Sequence, residues 1–330
     1  MNTIENQRFN RVTWLRNAIT LLLFIVVSTG VGCNAETRHD AHADQDVVLL
    51  GDSNTWLGGD DCKGAKGWGK WFAEEYRPGS IRSYARSGAT WTNTVNTVAD
   101  TREYSEVLGD NNVIYNQVMR LVEDFEADKV AEPELVIISA GTNDAWFVNR
   151  RPRAMESHDA DCLSTLDLAG AKPSEVLTMQ ESVVMCCRLL RQRFPQAKIV
   201  LLTPMQTVKV SDEQIERAGD LIEISGEALG CGVIRLDKDS CVRSKDESVK
   251  KVYTYDGTHT SEQGAECNGR LVARRVCEMI CQLDNKFKYK WYFPICFSCL
   301  SLFRSLRCAI WWQCGRTADF PHLVCRVATL

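Results

Sequence analysis

The chain is short of several things that would each have decided its class. It has no surplus of basic residues: 39 Lys and Arg stand against 43 Asp and Glu, for a formal net charge of −4, and no basic stripe crosses the body. Nucleic acid is thereby excluded as the main partner, because phosphate binding draws on clustered Lys and Arg. Apolar runs are short. Ala18–Val27 covers ten residues and Trp291–Phe303 is soon interrupted by Arg304 and Arg307, so neither is a bilayer span of the usual twenty or so. No repeat of solenoid length is present. Histidine is scarce as well: of five, four fall outside the regularly patterned body or in an insertion, namely His39, His42, His158 and His322. His259 alone is framed for chemistry.

What is present begins with an export pattern. Arg8, Arg11 and Arg16 precede the apolar stretch, and Ser28-Thr29-Gly30-Val31-Gly32-Cys33 follows it. Residues 1–32 read as a signal peptide, and the small residues leading into Cys33 resemble a lipoprotein cleavage box. Cys33 is therefore the expected lipidation site and the expected location is the cell envelope, with periplasmic or secreted forms as the alternative. Residues 33–45 read as a polar tether. Fifteen cysteines would suit an oxidising compartment, yet their spacing is not that of a disulfide scaffold. Cys186 and Cys187 are adjacent, Cys277 and Cys281 are four apart, and most body cysteines read as small buried hydrophobes. A loop bridge from Cys231 to Cys241 is the one pairing the spacing offers. Residues 284–330 form a basic, cysteine-rich tail of unknown role.

Between residues 46 and 283, short apolar runs alternate with longer amphipathic stretches, the pattern of parallel strands joined by crossover helices. Strands are expected at Asp46–Leu50, Ile81–Ala85, Leu135–Ser139, Lys198–Thr203 and Gly232–Leu236. Helices are expected at Trp68–Glu75, Val113–Ala127, Ser174–Phe194, Asp212–Leu229 and Glu262–Gln282. Thr260-Ser261-Glu262-Gln263 has the form of a capping box for the last of these. The result is an α/β three-layer sandwich around a central parallel sheet of about five strands. The segment Ala145–Lys172 reads as an insertion positioned to wall a ligand site.

Four blocks carry the chemistry. Gly51-Asp52-Ser53-Asn54 leaves the first strand and can present a serine hydroxyl at the sheet edge. Gly88 follows the second strand with a free backbone donor. Gly141-Thr142-Asn143-Asp144 leaves the third, offering a side-chain amide to a developing oxyanion. Asp256-Gly257-Thr258-His259 places a carboxylate one turn from an imidazole, so that one ring nitrogen is held while the other faces the serine. Each block alone is equally a plain turn; together they supply a nucleophile, a base, its orienter and oxyanion donors, the set that acyl transfer requires. An ordinary α/β-hydrolase would want a glycine where Thr55 stands. A phosphatase built on Asp52 would want an acid where Asn54 stands.

In this order the blocks resemble those of the SGNH, or GDSL-like, hydrolase family over residues 46–283. The resemblance implies a flavodoxin-like sheet, Ser53 as nucleophile, His259 as base and Asp256 as its orienter. It also implies an oxyanion hole from the Ser53 amide, the Gly88 amide and the Asn143 side chain. Thr260-Ser261 stands where such proteins often carry Pro-Asn. The implied activity is a serine esterase acting on acyl esters, foremost acetyl esters on extracellular carbohydrate. Lysophospholipase or thioesterase activity, or a non-catalytic surface protein on the same fold, are the alternatives. The expected partner is a small-molecule or glycan ester, with membrane association through a lipid anchor; no cofactor or metal is implied.

Overall fold

The computed structural model describes residues 42–281. The signal peptide, Cys33, most of the tether and the 284–330 tail lie outside the described residues. The chain divides into two units, Met1–Cys277 and Glu278–Leu330; the sheet and all four motif blocks belong to the first. Among the described residues no helix is long and apolar enough to cross a membrane.

The first half runs β1 (Asp46–Gly51), α1 (Ser53–Trp56), α2 (Trp68–Tyr76), β2 (Ser80–Ser83), α3 (Ile114–Glu126), β3 (Leu135–Ser139) and α4 (Thr142–Trp146). Next come α5 (Ala160–Thr165), α6 (Met179–Arg193), β4 (Lys198–Leu202), α7 (Asp212–Ala228), β5 (Gly232–Ile234), α8 (Leu236–Asp239) and α9 (Ser244–Val249). A final helix, α10, begins at residue 262. The five strands lie in the order β2-β1-β3-β4-β5 and every pairing is parallel. This is a doubly wound, flavodoxin-like sheet, whose order reverses beside β1.

Burial explains the pattern. All five residues of β3 are buried, as are Val47–Leu50 of β1, so both strands read as continuous apolar runs. Val118 and Leu121 of α3, Val183, Cys187 and Leu190 of α6, and Ile215, Leu221 and Ile222 of α7 pack into the same core. At about 25 cal/mol per Å² of apolar surface, this shared burial is the main force holding helices to sheet.

The departures from expectation have local causes. β5 stops at Ile234 because the chain turns directly into α8, where Arg235 is held by Asp237, Asp220 and Glu223. β2 is an edge strand, partly exposed, and sits one residue earlier than its apolar pattern suggests. The long helix expected over Ser174–Phe194 is two pieces, a 3-10 turn at Pro173–Glu175 and then α6. The break is set by Thr178: its hydroxyl accepts from the Glu181 N–H, and the Glu181 carboxylate accepts from the Thr178 N–H, a complete capping box. At α10 the cap is Ser261, whose hydroxyl accepts from the Gly264 N–H at 3.3 Å. Thr260 was the expected cap, but its hydroxyl donates instead to the Lys66 carbonyl.

The Cys231–Cys241 bridge is overturned. Cys241 is bonded to Cys267, with 6.5 Å between their Cα atoms, and Cys231 is free. The reason is placement: Cys231 lies beside Arg191 of α6, 3.4 Å from its guanidinium, whereas Cys241 faces α10. Residues 42–45 end the tether as a turn packed on the body, with the His42 ring stacked on Tyr76 at 4.0 Å.

Candidate active site

The sheet brings the carboxyl ends of β1 and β3 side by side, with Gly51 opposite Ser139. In sheets of this kind the usual ligand site lies at such a reversal of strand order, beyond the carboxyl ends of the strands. Ser53 opens α1 after β1, and Asn143 lies in α4 after β3.

The turn at Ser53 is fixed from behind. The buried Gln117 amide accepts from the Gly51 N–H and donates to the Gly51 carbonyl, both at 2.8 Å. A side chain at Gly51 would collide with the Ser139 carbonyl and come within 2.7 Å of the Thr55 hydroxyl, so only glycine allows this approach. Asp52 then caps α1 by accepting from the Asn54 N–H at 3.1 Å. Ser53 is 8% exposed.

The histidine loop is folded around Asp256. One carboxylate oxygen accepts the backbone N–H groups of Thr258 (2.9 Å) and His259 (2.7 Å), which closes the loop into a compact turn. The other oxygen lies 2.7 Å from His259 Nδ1, and His259 Nε2 lies 3.0 Å from Ser53 Oγ. Asp256, His259 and Ser53 thus form one hydrogen-bonded line across 203 residues between the carboxylate and the hydroxyl. Burial pushes the Asp256 carboxyl up, but its hydrogen bonds to the His259 ring and to the two N–H groups, with the His259 charge, outweigh that and hold it below its ordinary value. It therefore stays ionised through the neutral range. The stability it lends is present above the unfolded value and is lost as pH falls through the folded one.

Three further groups are expected to act as donors: the Ser53 and Gly88 N–H groups and the Asn143 side chain. The Asn143 side chain donates one amide hydrogen to the Ala89 carbonyl at 2.9 Å, which leaves its second for another acceptor. Gly88 has a positive φ of 78°, and a Cβ there would lie 2.7 Å from Val107 Cα. Among the described residues the N–H groups of Ser53 and Gly88 enter no backbone hydrogen bond.

Three supporting residues escaped sequence reasoning. Gln117 sits on the buried side of α3 between Ile114 and Leu121, where Asn116 and Arg120 are buried as well; polar residues within an apolar helical stripe were the signal for it. Asp144, fully buried, accepts from the N–H groups of Trp91 (3.0 Å) and Thr92 (2.9 Å), and from the Thr92 hydroxyl. It ties α4 to the segment that carries Gly88 and Ala89. Glu247 of α9 gathers the N–H groups of Val252, Tyr253 and Thr254, and so anchors the stretch before Asp256. Neither Asp144 nor Glu247 has a periodic signature that would reveal its partners.

Asp52 has an opposite environment to Asp256. Complete burial pushes its carboxyl up to about 6, against the relief from the Asn54 N–H, the Thr142 hydroxyl and the His259 charge, while the nearby Asp144 charge adds to the rise. An acid with a raised folded value binds its proton more tightly folded than unfolded, so the cost of its charge appears as pH rises from about 4 through 6. At neutral pH that cost is about 3 kcal/mol. Asp52→Asn keeps an acceptor for the Asn54 N–H and removes the charge. It is expected to melt several degrees above the wild type at pH 8 and close to it at pH 4. Thermal melts across that range are the check, and a difference independent of pH would show that the buried charge is not the cause.

A doubly wound α/β fold with serine, histidine and aspartate in line at its switch point defines the serine-hydrolase class of site. The chain belongs to the GDSL-like Lipase/Acylhydrolase family, whose model matches residues 49–267, and it is an ester hydrolase of that family. Among solved structures it is similar to an acetyl xylan esterase, AlAXEase, at 18% identity over 71% of this chain and 99% of that one, with a TM-score of 0.43. It is similar to a possible lipase from Chitinophaga pinensis at 16% identity, covering 73% and 99% of the two chains, TM-score 0.45. A protein from Lactobacillus plantarum matches at 14% identity, covering 72% and 97%, TM-score 0.47. No curated protein matches.

Proposed function

We propose that the protein hydrolyses acyl esters through a covalent acyl-serine, with Ser53 as nucleophile, His259 as general base and Asp256 as its orienter. The observation that carries this reading is the continuous hydrogen-bonded line from Asp256 through both nitrogens of His259 to Ser53 Oγ. Ser53 Oγ attacks the ester carbonyl carbon as its proton passes to His259 Nε2, and the carbonyl π electrons move to oxygen. The Ser53 and Gly88 N–H groups and the second Asn143 amide hydrogen hold that oxyanion. Collapse restores the carbonyl and expels the alcohol oxygen, which takes the proton from His259. Water then attacks the acyl-serine, yields its proton to His259 and releases the acid, and Ser53 recovers its proton. Asp256 keeps its charge throughout and stabilises the imidazolium.

Acetyl groups on carbohydrate are the substrate we assign. Three aromatic side chains bear on the choice of a sugar-bearing alcohol: Trp56 follows Ser53 by three residues on α1, Trp146 follows Asn143 by three on α4, and Tyr255 stacks on His259 at 5.7 Å. All three keep open surface, 41%, 37% and 48% respectively, and residues three apart on a helix share a face. Trp146 is stacked on Phe147 at 5.4 Å and Tyr255 has Lys66 Nζ 4.7 Å from its ring centre, so Trp56 is the ring we assign to the sugar face. A panel of p-nitrophenyl esters from acetate to palmitate, followed by acetylated glycans, tests the assignment. The expected order is acetate over palmitate by at least about tenfold in kcat/KM, or roughly 1.4 kcal/mol in transition-state binding. Faster turnover of the long chains would move the protein to a lipase or lysophospholipase reading.

We also assign the protein to the cell envelope through a lipid on Cys33, on the strength of the charged, apolar and small-residue segments that precede it. Cys33→Ser is expected to move the protein from the membrane to the soluble fraction. Unchanged fractionation, or a mature N-terminus mapped elsewhere by mass spectrometry, would leave plain secretion.

A further inference from the structure

Two loops from opposite ends of the sequence must hold Ser53 and His259 within a hydrogen bond of each other. The histidine loop is built mainly from its own residues, through Asp256 and through the Tyr255 N–H to the His259 carbonyl at 3.0 Å. Thr207 steadies it from the β4 side, donating its hydroxyl to the Gly257 carbonyl and touching the Thr258 hydroxyl at 2.6 Å. None of these contacts reaches α1. Among the described residues, hydrogen bonds between α1 and this loop come from two side chains only: Ser53 itself, through His259, and Asn54.

Asn54 is 8% exposed and uses both ends of its carboxamide. Nδ2 donates to the Thr258 carbonyl at 3.3 Å. Oδ1 accepts from the Thr260 N–H at 3.0 Å and from the Thr260 hydroxyl at 3.3 Å. The side chain next to the nucleophile therefore grips the backbone on both sides of His259. We propose that Asn54 is a positioning residue that sets the distance and angle between Ser53 Oγ and His259 Nε2, an inference that rests on the esterase reading above.

The chemistry of the contact explains why an amide stands there. One atom must donate to a carbonyl while its neighbour accepts from an N–H, and only a carboxamide does both from a single planar fork. A carboxylate would accept from Thr260 but would turn an oxygen toward the Thr258 carbonyl. A hydroxyl is too short to serve both sides. Because the grip straddles the histidine, its loss frees the ring to shift relative to Ser53. A displacement on the order of 1 Å is enough to cost about a hundredfold in rate, so a partial loss of restraint should cost somewhat less.

The test compares wild type, Asn54→Ala and Asn54→Asp on p-nitrophenyl acetate, with active sites titrated by a fluorophosphonate and each variant assayed below its own melting midpoint. For both variants kcat per titrated site is expected to fall roughly 30-fold, KM to stay within about threefold, and the rate of fluorophosphonate labelling to fall in parallel with kcat. A purely structural role predicts another pattern: a lower melting temperature and fewer titratable sites, with kcat per site unchanged. That pattern, or a fall confined to KM, overturns the proposal. Asn54→Asp preserves shape and the bond from the Thr260 N–H, and it decides the matter if Asn54→Ala does not fold. Failure of the esterase reading looks different, since the wild type itself would then neither turn over the ester nor take the label.

Discussion

Ser53→Ala is expected to reduce ester hydrolysis by at least about 10³-fold, and by as much as about 10⁶-fold, with little change in folding. The size of the effect follows from the role. In the proposed mechanism the Ser53 hydroxyl oxygen is the atom that bonds to the substrate, so without it the covalent route is closed. What survives is binding and oxyanion stabilisation acting on direct attack by water. Folding is spared because the turn does not depend on that hydroxyl. Gly51 is held by Gln117, α1 is capped by Asp52, and Asn54 keeps its own contacts to the histidine loop. The measurement is kcat on p-nitrophenyl acetate beside a thermal melt and mass-spectrometric mapping of the fluorophosphonate adduct. An adduct on any residue other than Ser53, or a Ser53→Ala enzyme with more than about a tenth of wild-type activity, would remove Ser53 from the role.

The same contacts explain which parts of the protein could be seen in its sequence. β3 is legible to the residue, since a strand buried on both faces must be apolar throughout. The edge strand β2 is less so, because half of it faces outward and its pattern shifts by a residue without penalty. That the sheet is parallel was legible from the alternation of strands and helices, because a crossover helix returns the chain to start the next strand in the same direction, whereas the flavodoxin-like order was implied by the family resemblance. Helix starts depended on which of several polar residues lends its side chain to the backbone. Thr178 and Thr260 are both threonines ahead of apolar helices, yet one caps and the other turns to Lys66 and Asn54. Only tertiary structure separates them. Cysteine pairing failed for the same reason, since Cys267 is 26 residues from Cys241 and is brought to it by the packing of α10.

The candidate site divides in a similar way. The residues proposed to carry chemistry, Ser53, Gly88, Asn143, Asp256 and His259, lie in short blocks of unusual composition, which is why the sequence singles them out. Residues that hold those blocks in place do not advertise themselves. Gln117 reaches Gly51 across 66 positions, and Asp144 reaches Thr92 across 52. Their identity is a consequence of which loops the sheet brings together. A buried amide or carboxylate with several donors around it becomes recognisable only when those donors are in view.

Asn143→Ala is expected to lower kcat by about 10²-fold, or roughly 2.7 kcal/mol in the barrier, with a much smaller change in KM. The asymmetry is the informative part. In the bound ester the carbonyl oxygen carries only partial charge, and it becomes a full oxyanion when Ser53 attacks. A donor aimed at that oxygen therefore stabilises the transition state more than the ground state, and its removal shows in kcat. The Asn143 side chain is prepared for this by its bond to the Ala89 carbonyl, which fixes the amide plane and leaves the second hydrogen directed elsewhere. Asp144 holds the neighbouring backbone through Trp91 and Thr92, so the helix carrying Asn143 pays little reorganisation during the reaction. Asn143→Asp provides the sharper comparison. It keeps the size of the side chain, loses both donors and adds a negative charge near a developing one, so its kcat should fall below that of Asn143→Ala. Steady-state kinetics on one soluble acetyl ester measure all three proteins. A rise in KM with kcat unchanged would make Asn143 a substrate-binding residue and leave the oxyanion to the two backbone donors alone.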